Sequence, residues 1–537
     1  MTGPNTRRGV ADATPFLIAL DRDADAPLHR QIYGGLRAAI LDGRFANNAR
    51  LPSTRELASD LGVARNTVVL AFEQLRAEGY LAGARGGGSR VRAQVPDSLL
   101  NVSVVRPAPR RTTSVRNEER LEGRPAENHE AGTPSLSSRW ARVLEHGDGW
   151  RPKADVPPIA FALGIPAIDA FPAALWARLT ARRWRTGDVF LGHAAATGDR
   201  TLREVISAYV SSARGARCSP EQVIIVSGAQ QALDLAARVL VDAGDSVLME
   251  DPGYLGARAA FVAAGVRVVS VDVDDEGLNI GAGARRAPRA RLAYVTPSHQ
   301  FPLGSVMSAS RRLELLAWAR RSSAWIVEDD YDSEYRYEGQ PIPCLQGLDA
   351  QQSPTCRVLY VGTFSKTLTP ALRLGYLIVP VELIEAFRAA CAVTSGHAPT
   401  IDQCVLAEFM GEGHYGRHVR RVRALCAERQ HALLVVADRE LGELIQLSPD
   451  AAGLHLVGWL RGRTSDADVA AAAKSAGLDV SPLSRFSSRE RRRGALLLGY
   501  AAFDERAIRA GVKRLAKILS EVAKLSRTQR RSSVPNL

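Results

Sequence analysis

A lysine that directly follows a buried-strand pattern is the first candidate for chemistry. The apolar run RVLYV leads into GTFSKTLTPALRLGY, which places Lys366 just beyond the end of a predicted strand. Open α/β sheets bind ligands in the crevice outside the carboxyl ends of their strands. An amine there can form a Schiff base with an aldehyde if nearby cationic or apolar groups lower its pKa and leave it partly neutral. Arg373, seven residues further on, could hold a phosphate group.

Two more predicted strand ends carry suitable groups. AWIVE runs into DDYD, which puts Asp329 and Tyr331 where a carboxylate could pair with a protonated pyridine nitrogen and make the ring an electron sink. QVIIV runs into SGAQQALDLAARVL, so that Gly228, Ala229 and Gln230 lie at the start of a predicted helix. Backbone amides and the helix dipole favour phosphate at such a position.

An aromatic residue completes this set. Tyr254, in EDPGYLG, could stack on a bound ring. Each feature alone is weak evidence, because a lysine after a strand is usually solvated and an acidic pair usually lies on the surface. Four such groups in this order on one domain favour a ligand site over unrelated surface residues.

A sheet is needed to bring these strand ends together. From about Ile159 the runs QVIIV, DSVLM, RLAYV, AWIVE and RVLYV alternate with longer helical stretches. This alternation is typical of a largely parallel, buried sheet. We therefore expect an α/β domain over residues 159–520.

A smaller helical domain is predicted before it, over residues 14–95. Ser53 followed by Glu56 has the spacing of a capping box, which predicts a helix over 54–61. Gly62 can adopt the left-handed conformation that ends a helix. The next helix carries apolar residues at i, i+4 and i+7, which are Val68, Phe72 and Leu75. Two helices therefore meet across a tight turn.

The exposed first turn of the second helix is where a recognition helix contacts base edges in the major groove. That turn holds Arg65, Asn66 and Thr67, and Arg65 is the predicted base contact. Arg55, near the start of the preceding helix, is placed to meet phosphate.

A hairpin wing is predicted in ARGGGSRVR, where Arg85 and Arg90 would follow the DNA backbone and add affinity rather than sequence choice. The alternative is that the helix-turn-helix pattern arose by chance in a helical protein and that the arginines only solvate a surface. The length of the pattern argues against that alternative.

The segments between and after these domains have a different composition. Residues 96–158 are rich in Pro, Ser, Arg, Glu and Gly, which predicts a long flexible linker. Residues 521–537 end in KLSRTQRRSSVPNL, which predicts a frayed basic tail without an assigned role.

Bulk properties limit the class of protein. The chain has 537 residues, enough for two or three domains, and a net charge of +13 favours polyanionic partners such as DNA. No apolar signal segment or membrane span is evident, so we expect a cytoplasmic protein that does not contact a membrane. The cysteines lack metal-ligand spacing, so we expect no disulfide and no metal site; they are Cys218, Cys344, Cys356, Cys391, Cys404 and Cys426.

The head resembles the GntR family of regulators in PLHRQI, LPSTRELA, LGVARNTV and EGYL. The large domain resembles fold-type I aminotransferases from about Ile159 to Lys517. Together they resemble the MocR subfamily, whose motifs recur in DAFPAALW, TGDRTLRE, TPSHQFPLG, EDDYDSEYRY and GTFSKTLTPALRLGY. The resemblance implies an α/β protein with a winged helix-turn-helix head that binds double-stranded operator DNA, and an aminotransferase-like domain with a mostly parallel central sheet that binds pyridoxal 5'-phosphate (PLP).

The resemblance also implies a role for each matching residue. Lys366 would form the Schiff base with PLP, Asp329 would pair with the pyridinium nitrogen, and Tyr331 would contact the phenolic oxygen. Tyr254 would stack on the ring. The phosphate would be held by Ala229, Gln230, Thr363, Ser365 and Arg373. Regulators of this subfamily form head-to-tail homodimers, which suit operators with two half-sites.

Two positions depart from the resembled families. Aminotransferases carry an arginine near the carboxyl terminus, in a stretch resembling FRLSFA, that pairs with the substrate carboxylate. Here the stretch is ALLLGYA, with Leu497 at that place, and Gly256 stands where GABA-responsive members have an arginine. Arg258 or Arg485 could substitute. We expect PLP itself to be the effector, with an amino acid that reacts with bound PLP as the open alternative.

Three functional classes therefore remain. The first is a PLP-responsive regulator with transaminase activity at most vestigial. The second is an active aminotransferase with an appended DNA-binding domain, since it would need the same cofactor residues. The third is a DNA-binding scaffold whose large domain is inactive, which would require Lys366 to stay unmodified.

Overall fold

The computed structural model of the chain describes residues 20–22, 26–41, 44–45, 48–77, 80–84, 88–91, 137–145, 159–185, 192–339, 343–353, 355–462, 464–489 and 493–532. The chain divides into two compact units, Met1–Arg124 and Pro125–Leu537. None of the described helices is long and apolar enough to cross a membrane.

The described part of the first unit packs helices against a β-hairpin. Its elements are α1 (Leu28–Leu41), α2 (Thr54–Asp60), α3 (Arg65–Ala77), β1 (Leu81–Ala84) and β2 (Gly88–Val91). The predicted stripe of α3 is confirmed, because Val68, Phe72 and Leu75 are buried in the core of this unit. The two strands pair antiparallel, with Leu81 opposite Val91. The elements are those of a helix-turn-helix followed by a wing.

Local hydrogen bonds determine where α2 begins and ends. The predicted capping box is confirmed: the Glu56 amide donates to Ser53 Oγ at 3.2 Å, and the Ser53 amide donates to Glu56 Oε2 at 2.7 Å. The helix ends at Asp60, one residue earlier than predicted, because Leu61 is the cap. Gly62 then takes a φ of +60°, which permits the tight turn into α3.

The second unit contains two sheets with helices around them. Its helices are α4 (Ser138–Glu145), α5 (Ala173–Arg185), α6 (Arg200–Arg214), α7 (Ala229–Leu240), α8 (Leu255–Ala263), α9 (Ile280–Arg286), α10 (Ala309–Arg321), α11 (Leu345–Gln352), α12 (Ile384–Ser395), α13 (Thr400–Gly411), α14 (His414–Leu441), α15 (Asp466–Ser475) and α16 (Glu505–Ser532). Its strands are β3 (Val223–Val226), β4 (Ser246–Asp251), β5 (Arg267–Asp274), β6 (Gly277–Leu278), β7 (Leu292–Val295), β8 (Trp325–Asp330), β9 (Val358–Thr363), β10 (Gly375–Ile378), β11 (Ile445–Leu447), β12 (His455–Leu460), β13 (Ser481–Pro482) and β14 (Ala495–Gly499).

The larger sheet has eight strands in the order β3-β10-β9-β8-β7-β4-β5-β6. The pairs from β9 through β8, β7 and β4 to β5 are parallel, whereas β10 is antiparallel to both of its neighbours. The prediction of a mostly parallel central sheet is therefore confirmed. We call this sheet, with the helices packed on it, the large lobe.

Both faces of the larger sheet are covered, as its strand sequences predict. Along β3, Ile224 and Val226 pack into one apolar cluster with α7, while Val223 and Ile225 pack into another on the opposite face. Successive side chains of a strand point to opposite faces, so a run of apolar residues indicates a strand buried on both sides.

The smaller sheet is antiparallel, in the order β11-β12-β14-β13. Helices α14, α15 and α16 share one apolar core with it, which includes Leu433, Leu456, Val469, Leu498 and Leu515. We call this sheet with α15 and α16 the small lobe.

Helices extend into two segments that were predicted to be a flexible linker and a frayed tail. The predicted flexible linker over 96–158 contains α4, whose Val143 is buried and whose residues pack on α8. The predicted tail over 521–537 is helical as far as Ser532, because α16 continues beyond the predicted domain end at residue 520. Apart from 137–145, the linker lies outside the described residues.

A buried ion pair joins α6 to the end of β8. Arg214 Nε donates to Asp330 Oδ2 at 2.6 Å, and the two side chains are 6% and 1% exposed. The same guanidinium donates to Ser298 Oγ at 2.6 Å, and the Tyr360 hydroxyl donates to Asp330 Oδ2 at 2.5 Å. The pair therefore fixes the loop after β7 against β8.

Removing the arginine should be costly for this reason. We expect Arg214→Ala to lower the free energy of unfolding by about 3–5 kcal/mol, because Asp330 would remain buried without its partner. Urea unfolding followed by circular dichroism at fixed protein concentration measures the change. Arg238→Ala, which breaks the exposed pair with Asp234, is the control and should cost less than about 1 kcal/mol. Equal losses in the two variants would contradict the assignment.

Candidate functional site

The ends of three strands and the start of a fourth meet at one edge of the larger sheet. Because β10 is antiparallel, its first residue, Gly375, lies opposite Thr363 at the end of β9 and opposite Val226 at the end of β3. A Cβ on Gly375 would lie 2.9 Å from the Gly228 Cα, so a glycine is required for this close approach. The edge brings together the segments that carry Lys366, Arg373 and the first residues of α7.

Lys366 lies three residues beyond β9 and is held at both its backbone and its amine. Nζ donates to the Gly164 carbonyl at 2.6 Å, and the Lys366 carbonyl accepts from the Tyr335 hydroxyl at 2.6 Å. Burial lowers the pKa of the amine, while Asp332 and Asp329 act to raise it. A lowered pKa increases the fraction of neutral amine, which is the form that attacks an aldehyde.

Asp329, near the end of β8, has one paired and one unpaired oxygen. Oδ2 accepts from the Tyr294 hydroxyl at 2.8 Å. Oδ1 is buried and finds no donor among the described residues. Burial raises the pKa of Asp329 to about 7, although the Tyr294 hydrogen bond opposes the rise. A buried acceptor without a partner is unusual in a native protein and fits a site that awaits a donor such as a protonated ring nitrogen.

Tyr331 follows β8 directly and lies beside His299. Its hydroxyl oxygen is 3.1 Å from His299 Nδ1, which is also 2.8 Å from Asp332 Oδ2. Its ring contacts Phe301 edge to face, with 5.9 Å between ring centroids. Burial and the charge of Asp332 raise the pKa of Tyr331 well above its usual value, so the hydroxyl keeps its proton and can donate it.

The residues proposed for phosphate surround the start of α7. The predicted helix start is confirmed, with Gly228 as the cap at a φ of +90° and Ala229 as the first helical residue. Arg373 Nη2 donates to the Ser227 carbonyl at 2.6 Å, and a Cβ on Gly228 would lie 3.2 Å from that nitrogen. The Ser365 amide lies 3.2 Å from Thr363 Oγ1. The groups predicted to bind phosphate, which are backbone amides, hydroxyls and a guanidinium, thus lie at the same edge of the larger sheet.

Tyr254 is positioned by Gln230 and Phe301. Its hydroxyl donates to Gln230 Oε1 at 3.3 Å, and Gln230 Nε2 donates to the Gly256 carbonyl at 2.8 Å. The Tyr254 ring meets Phe301 edge to face, with 6.0 Å between centroids. Gln230 therefore contributes its backbone to the α7 start, while its side chain orders the tyrosine.

Several residues of the site were not singled out in the sequence. They are Gly164, Tyr294, His299, Phe301, Asp332 and Tyr335. Strand ends could have indicated some of them, since RLAYV runs into TPSHQFPLG just as RVLYV runs into the Lys366 segment. Gly164 gave no signal, because it reaches Lys366 from 202 residues away.

The two positions that lack the expected arginines are closed by packing. Leu497 in β14 is 0% exposed and packs with Leu483 and Phe486. A Cβ on Gly256 would lie 2.4 Å from both Tyr254 Cζ and Gln230 Oε1, so any side chain there would displace the tyrosine.

The proposed substitutes for these arginines have other surroundings. Arg258 Nη2 donates to Ser270 Oγ in β5 at 2.9 Å. Burial lowers the pKa of the Arg258 guanidinium, while the charge of Asp251 opposes that shift. Arg485 is exposed on the turn that leads towards β14.

The residues predicted to contact DNA lie on the outside of the head. Arg65 and Asn66 are exposed on the first turn of α3, and Thr67 is half-buried beside them. Arg65 Nε lies 3.5 Å from Thr54 Oγ1 at the start of α2. Arg55 is exposed on α2, one residue further along. Their exposure is what the predicted DNA contacts require.

One wing arginine can be described and the other cannot. Arg90 in β2 is exposed and donates from Nη1 to the Asn48 carbonyl at 3.0 Å. Arg85, the other predicted wing contact, lies outside the described residues.

Comparisons with known proteins match both units. Residues 28–91 match the family of bacterial regulatory proteins of the gntR type, and residues 180–439 match aminotransferases of class I and II. A probable rhizopine catabolism regulatory protein, MocR of Rhizobium meliloti, is 41% identical over 93% of this chain and 95% of its own. The pyridoxine biosynthesis transcriptional regulator PdxR of Corynebacterium glutamicum is 30% identical over 92% of this chain and 96% of its own.

A solved structure extends the likeness to the fold of the second unit. The α-aminoadipate aminotransferase LysN from Thermus thermophilus, complexed with N-(5'-phosphopyridoxyl)-L-leucine, has a TM-score of 0.63 and 29% identity. The match covers 72% of this chain and 96% of that one.

The unpaired carboxylate should make the cofactor-free protein less stable as pH rises. The folded-state pKa of Asp329, about 7, exceeds its ordinary value of 3.8, so its contribution to stability is present at low pH and is lost as pH rises through 7. We expect Asp329→Asn to gain stability relative to the wild type between about pH 4 and about pH 8. Urea unfolding at several pH values measures this. Parallel pH profiles would contradict it, since Glu250 and Glu328, whose pKa values are also about 7, remain in both proteins.

Proposed function

Because the chain belongs to the MocR subfamily of GntR-type bacterial transcriptional regulators, we propose that PLP bound through Lys366 controls how its head engages operator DNA. Membership makes the protein a DNA-binding transcriptional regulator with an aminotransferase-like domain, and PLP is its cofactor. The observation that carries the proposal is Asp329 Oδ1, buried within electrostatic reach of Lys366 and without a donor among the described residues.

The residues of the site fit PLP at each of its functional groups. Lys366 would supply an amine whose lowered pKa favours the neutral form that attacks the aldehyde, and Asp329 would supply the missing partner for a pyridinium N–H. Tyr331 would donate to the phenolic oxygen, and Tyr254 would stack on the ring. When bound, PLP supplies an electron sink. The phosphate is assigned to Ala229, Gln230, Thr363, Ser365 and Arg373.

We assign the effector role to PLP itself rather than to an amino acid. An amino acid needs a cation for its carboxylate, and the two expected places hold Leu497, packed in an apolar cluster, and Gly256, which has no room for a side chain. The similarity to a pyridoxine biosynthesis regulator accords with this assignment. An amino acid that reacts with bound PLP is the alternative effector.

The regulator is proposed to act as a head-to-tail homodimer on an operator with two half-sites. In this arrangement residues 14–95 form the DNA-binding head and residues 159–520 form the PLP-binding domain. PLP can change DNA binding only by favouring one arrangement of the dimer over another. We propose that the two arrangements differ in the PLP-binding domain. Lys366 and Asp329 would both contact PLP in only one of them.

An active aminotransferase is the second candidate, and the complete set of cofactor residues around Lys366 is the observation that favours it. Incubation with a panel of amino acids and a keto acid distinguishes the two, because multiple turnover of any pair supports the enzyme. We expect no rapid multiple turnover, because the carboxylate clamp is replaced by Leu497.

The covalent bond between Lys366 and PLP should be visible in the absorbance spectrum. We expect the wild-type protein with added PLP to show the visible band of a protonated Schiff base, and Lys366→Ala to lack it. Lys474→Ala, which changes an exposed lysine of α15, is the matched control and should keep the band. A band in Lys366→Ala, or none in any of the three proteins, would refute the proposed function.

The head arginines should differ in what they contribute to DNA binding. We expect Arg65→Ala to lose about 1–3 kcal/mol of discrimination between operator and unrelated DNA, because it is assigned to base edges. Arg90→Ala should weaken binding to both DNAs alike and reduce the salt slope by about 1. Fluorescence anisotropy at several salt concentrations measures both effects. Arg238→Ala, in the other unit, is the control, and equal behaviour of Arg65→Ala and Arg90→Ala would mean that the recognition helix is misassigned.

A further inference from the structure

A buried histidine links the two lobes next to the cofactor site. His299 lies in the loop after β7, and its side chain is 1% exposed. Its Nδ1 is 2.8 Å from Asp332 Oδ2, just after β8 in the large lobe. Its Nε2 is 3.2 Å from Asp450 Oδ2, in the segment that leads into β12 of the small lobe. One imidazole therefore spans the boundary between the lobes.

The surroundings of His299 fix its charge. Burial disfavours a proton on the ring, but the charges of Asp332 and Asp450 and their hydrogen bonds raise the pKa of His299 to about 10. At neutral pH both ring nitrogens therefore carry protons and donate to carboxylates. Buried charges are tolerated when they are paired and hydrogen-bonded in this way.

Close packing leaves the imidazole and its partner little freedom. A Cβ on Gly453 would lie 2.3 Å from His299 Cε1, and a Cβ on Gly304 would lie 2.2 Å from Asp450 Oδ2. Both glycines have positive φ values, +93° and +82°. His455 packs 6.2 Å away, centroid to centroid, and donates from Nε2 to the Pro302 carbonyl. Residues of both lobes thus fix the position of the His299 ring and of the Asp450 carboxylate.

The histidine also touches the tyrosine assigned to the cofactor. Nδ1 lies 3.1 Å from the Tyr331 oxygen, so the N–H that points at Asp332 is shared with the hydroxyl. Without a ligand the single Tyr331 proton faces Asp332, and it can turn to the phenolic oxygen of PLP because the His299 N–H still donates to Asp332. A hydroxyl that accepts from a cation becomes a stronger donor, because hydrogen bonds in a chain polarise one another. His299 thereby fixes both the position and the donor strength of Tyr331.

We propose that His299 is a positioning residue that holds the Tyr331 hydroxyl towards the cofactor. Because His299 is itself held by Asp450, the position of that hydroxyl then depends on the position of the small lobe. The inference rests on the role proposed for Tyr331 at the phenolic oxygen of PLP. By linkage, PLP binding favours the arrangement in which Asp450 reaches His299, and loss of that contact weakens PLP binding.

A double-mutant cycle on PLP binding by the full-length protein tests this. We expect Tyr331→Phe and His299→Gln each to weaken PLP binding about tenfold, the value of one hydrogen bond, measured by PLP titration of the visible band. The variant that carries both substitutions should bind no more weakly than Tyr331→Phe alone, because His299 acts through that hydroxyl. Two independent losses would instead multiply to about a hundredfold.

The lobe connection is tested by Asp450→Asn, which keeps the shape of the side chain and removes its charge. We expect PLP binding about threefold to tenfold weaker, although Asp450 is not assigned to the cofactor. The matched control is Arg489→Ala, which cuts the exposed pair between Arg489 and Asp272 of β5 and touches neither His299 nor Tyr331. It should bind PLP within about twofold of the wild type.

The outcomes separate this inference from the function it rests on. A visible band in Lys366→Ala refutes the proposed function. Wild-type PLP binding in His299→Gln or Tyr331→Phe, multiplied losses in the double variant, or equal effects of Asp450→Asn and Arg489→Ala overturn the positioning role alone. Circular dichroism checks folding; if His299→Gln does not fold, Asp450→Asn decides, since the Asp450 side chain is 24% exposed and its amide variant is the milder change.

Discussion

The burial of a run of carboxylates at the end of β8 is the constraint on which this site depends. Within WIVEDDYD, Glu328, Asp329, Asp330 and Asp332 are all at most 5% exposed. An unpaired charge in such a place costs several kcal/mol or forces protonation. The partners come from separate elements: α11 amides for Glu328, Arg214 of α6 for Asp330, and His299 after β7 for Asp332. Among these four, only Asp329 keeps a buried oxygen that the described residues leave without a donor.

This pairing pattern explains why the loop after β7 is as important to the site as the lysine. Arg214 holds Ser298 as well as Asp330, so the residue before His299 is fixed by the same guanidinium that neutralises the neighbouring acid. The arginine that neutralises Asp330 therefore also helps to position His299 for its contact with Asp332. A ligand that donates to Asp329 would supply the one hydrogen bond that this group of buried carboxylates still lacks among the described residues.

Local signals in the sequence predicted the parts that local chemistry determines. The capping box at Ser53, the stripe on α3 and the strand-end place of Lys366 each depend on a few adjacent residues. Contacts between distant segments could not be predicted in this way, because His299 meets Asp450 across 151 positions and Lys366 meets Gly164 across 202. Helix α4 was missed for a related reason: this polar eight-residue segment is stabilised as a helix by the burial of Val143 and by packing of the helix on α8, and both depend on distant residues.

The replacement of the carboxylate clamp bears on how the two lobes are held together. Leu497 belongs to an apolar cluster that includes Phe486 of the small lobe and Phe301 of the large lobe, whose rings meet at 5.3 Å. Apolar contact and the His299–Asp450 pair therefore join the lobes without any substrate carboxylate. In such a site PLP can favour one arrangement of the lobes only through the residues that face it. Tyr331 is one of these residues, and His299 connects it to both lobes. A site of that kind is suited to report whether the cofactor is present rather than to select among amino acids, and this is what the proposed function requires.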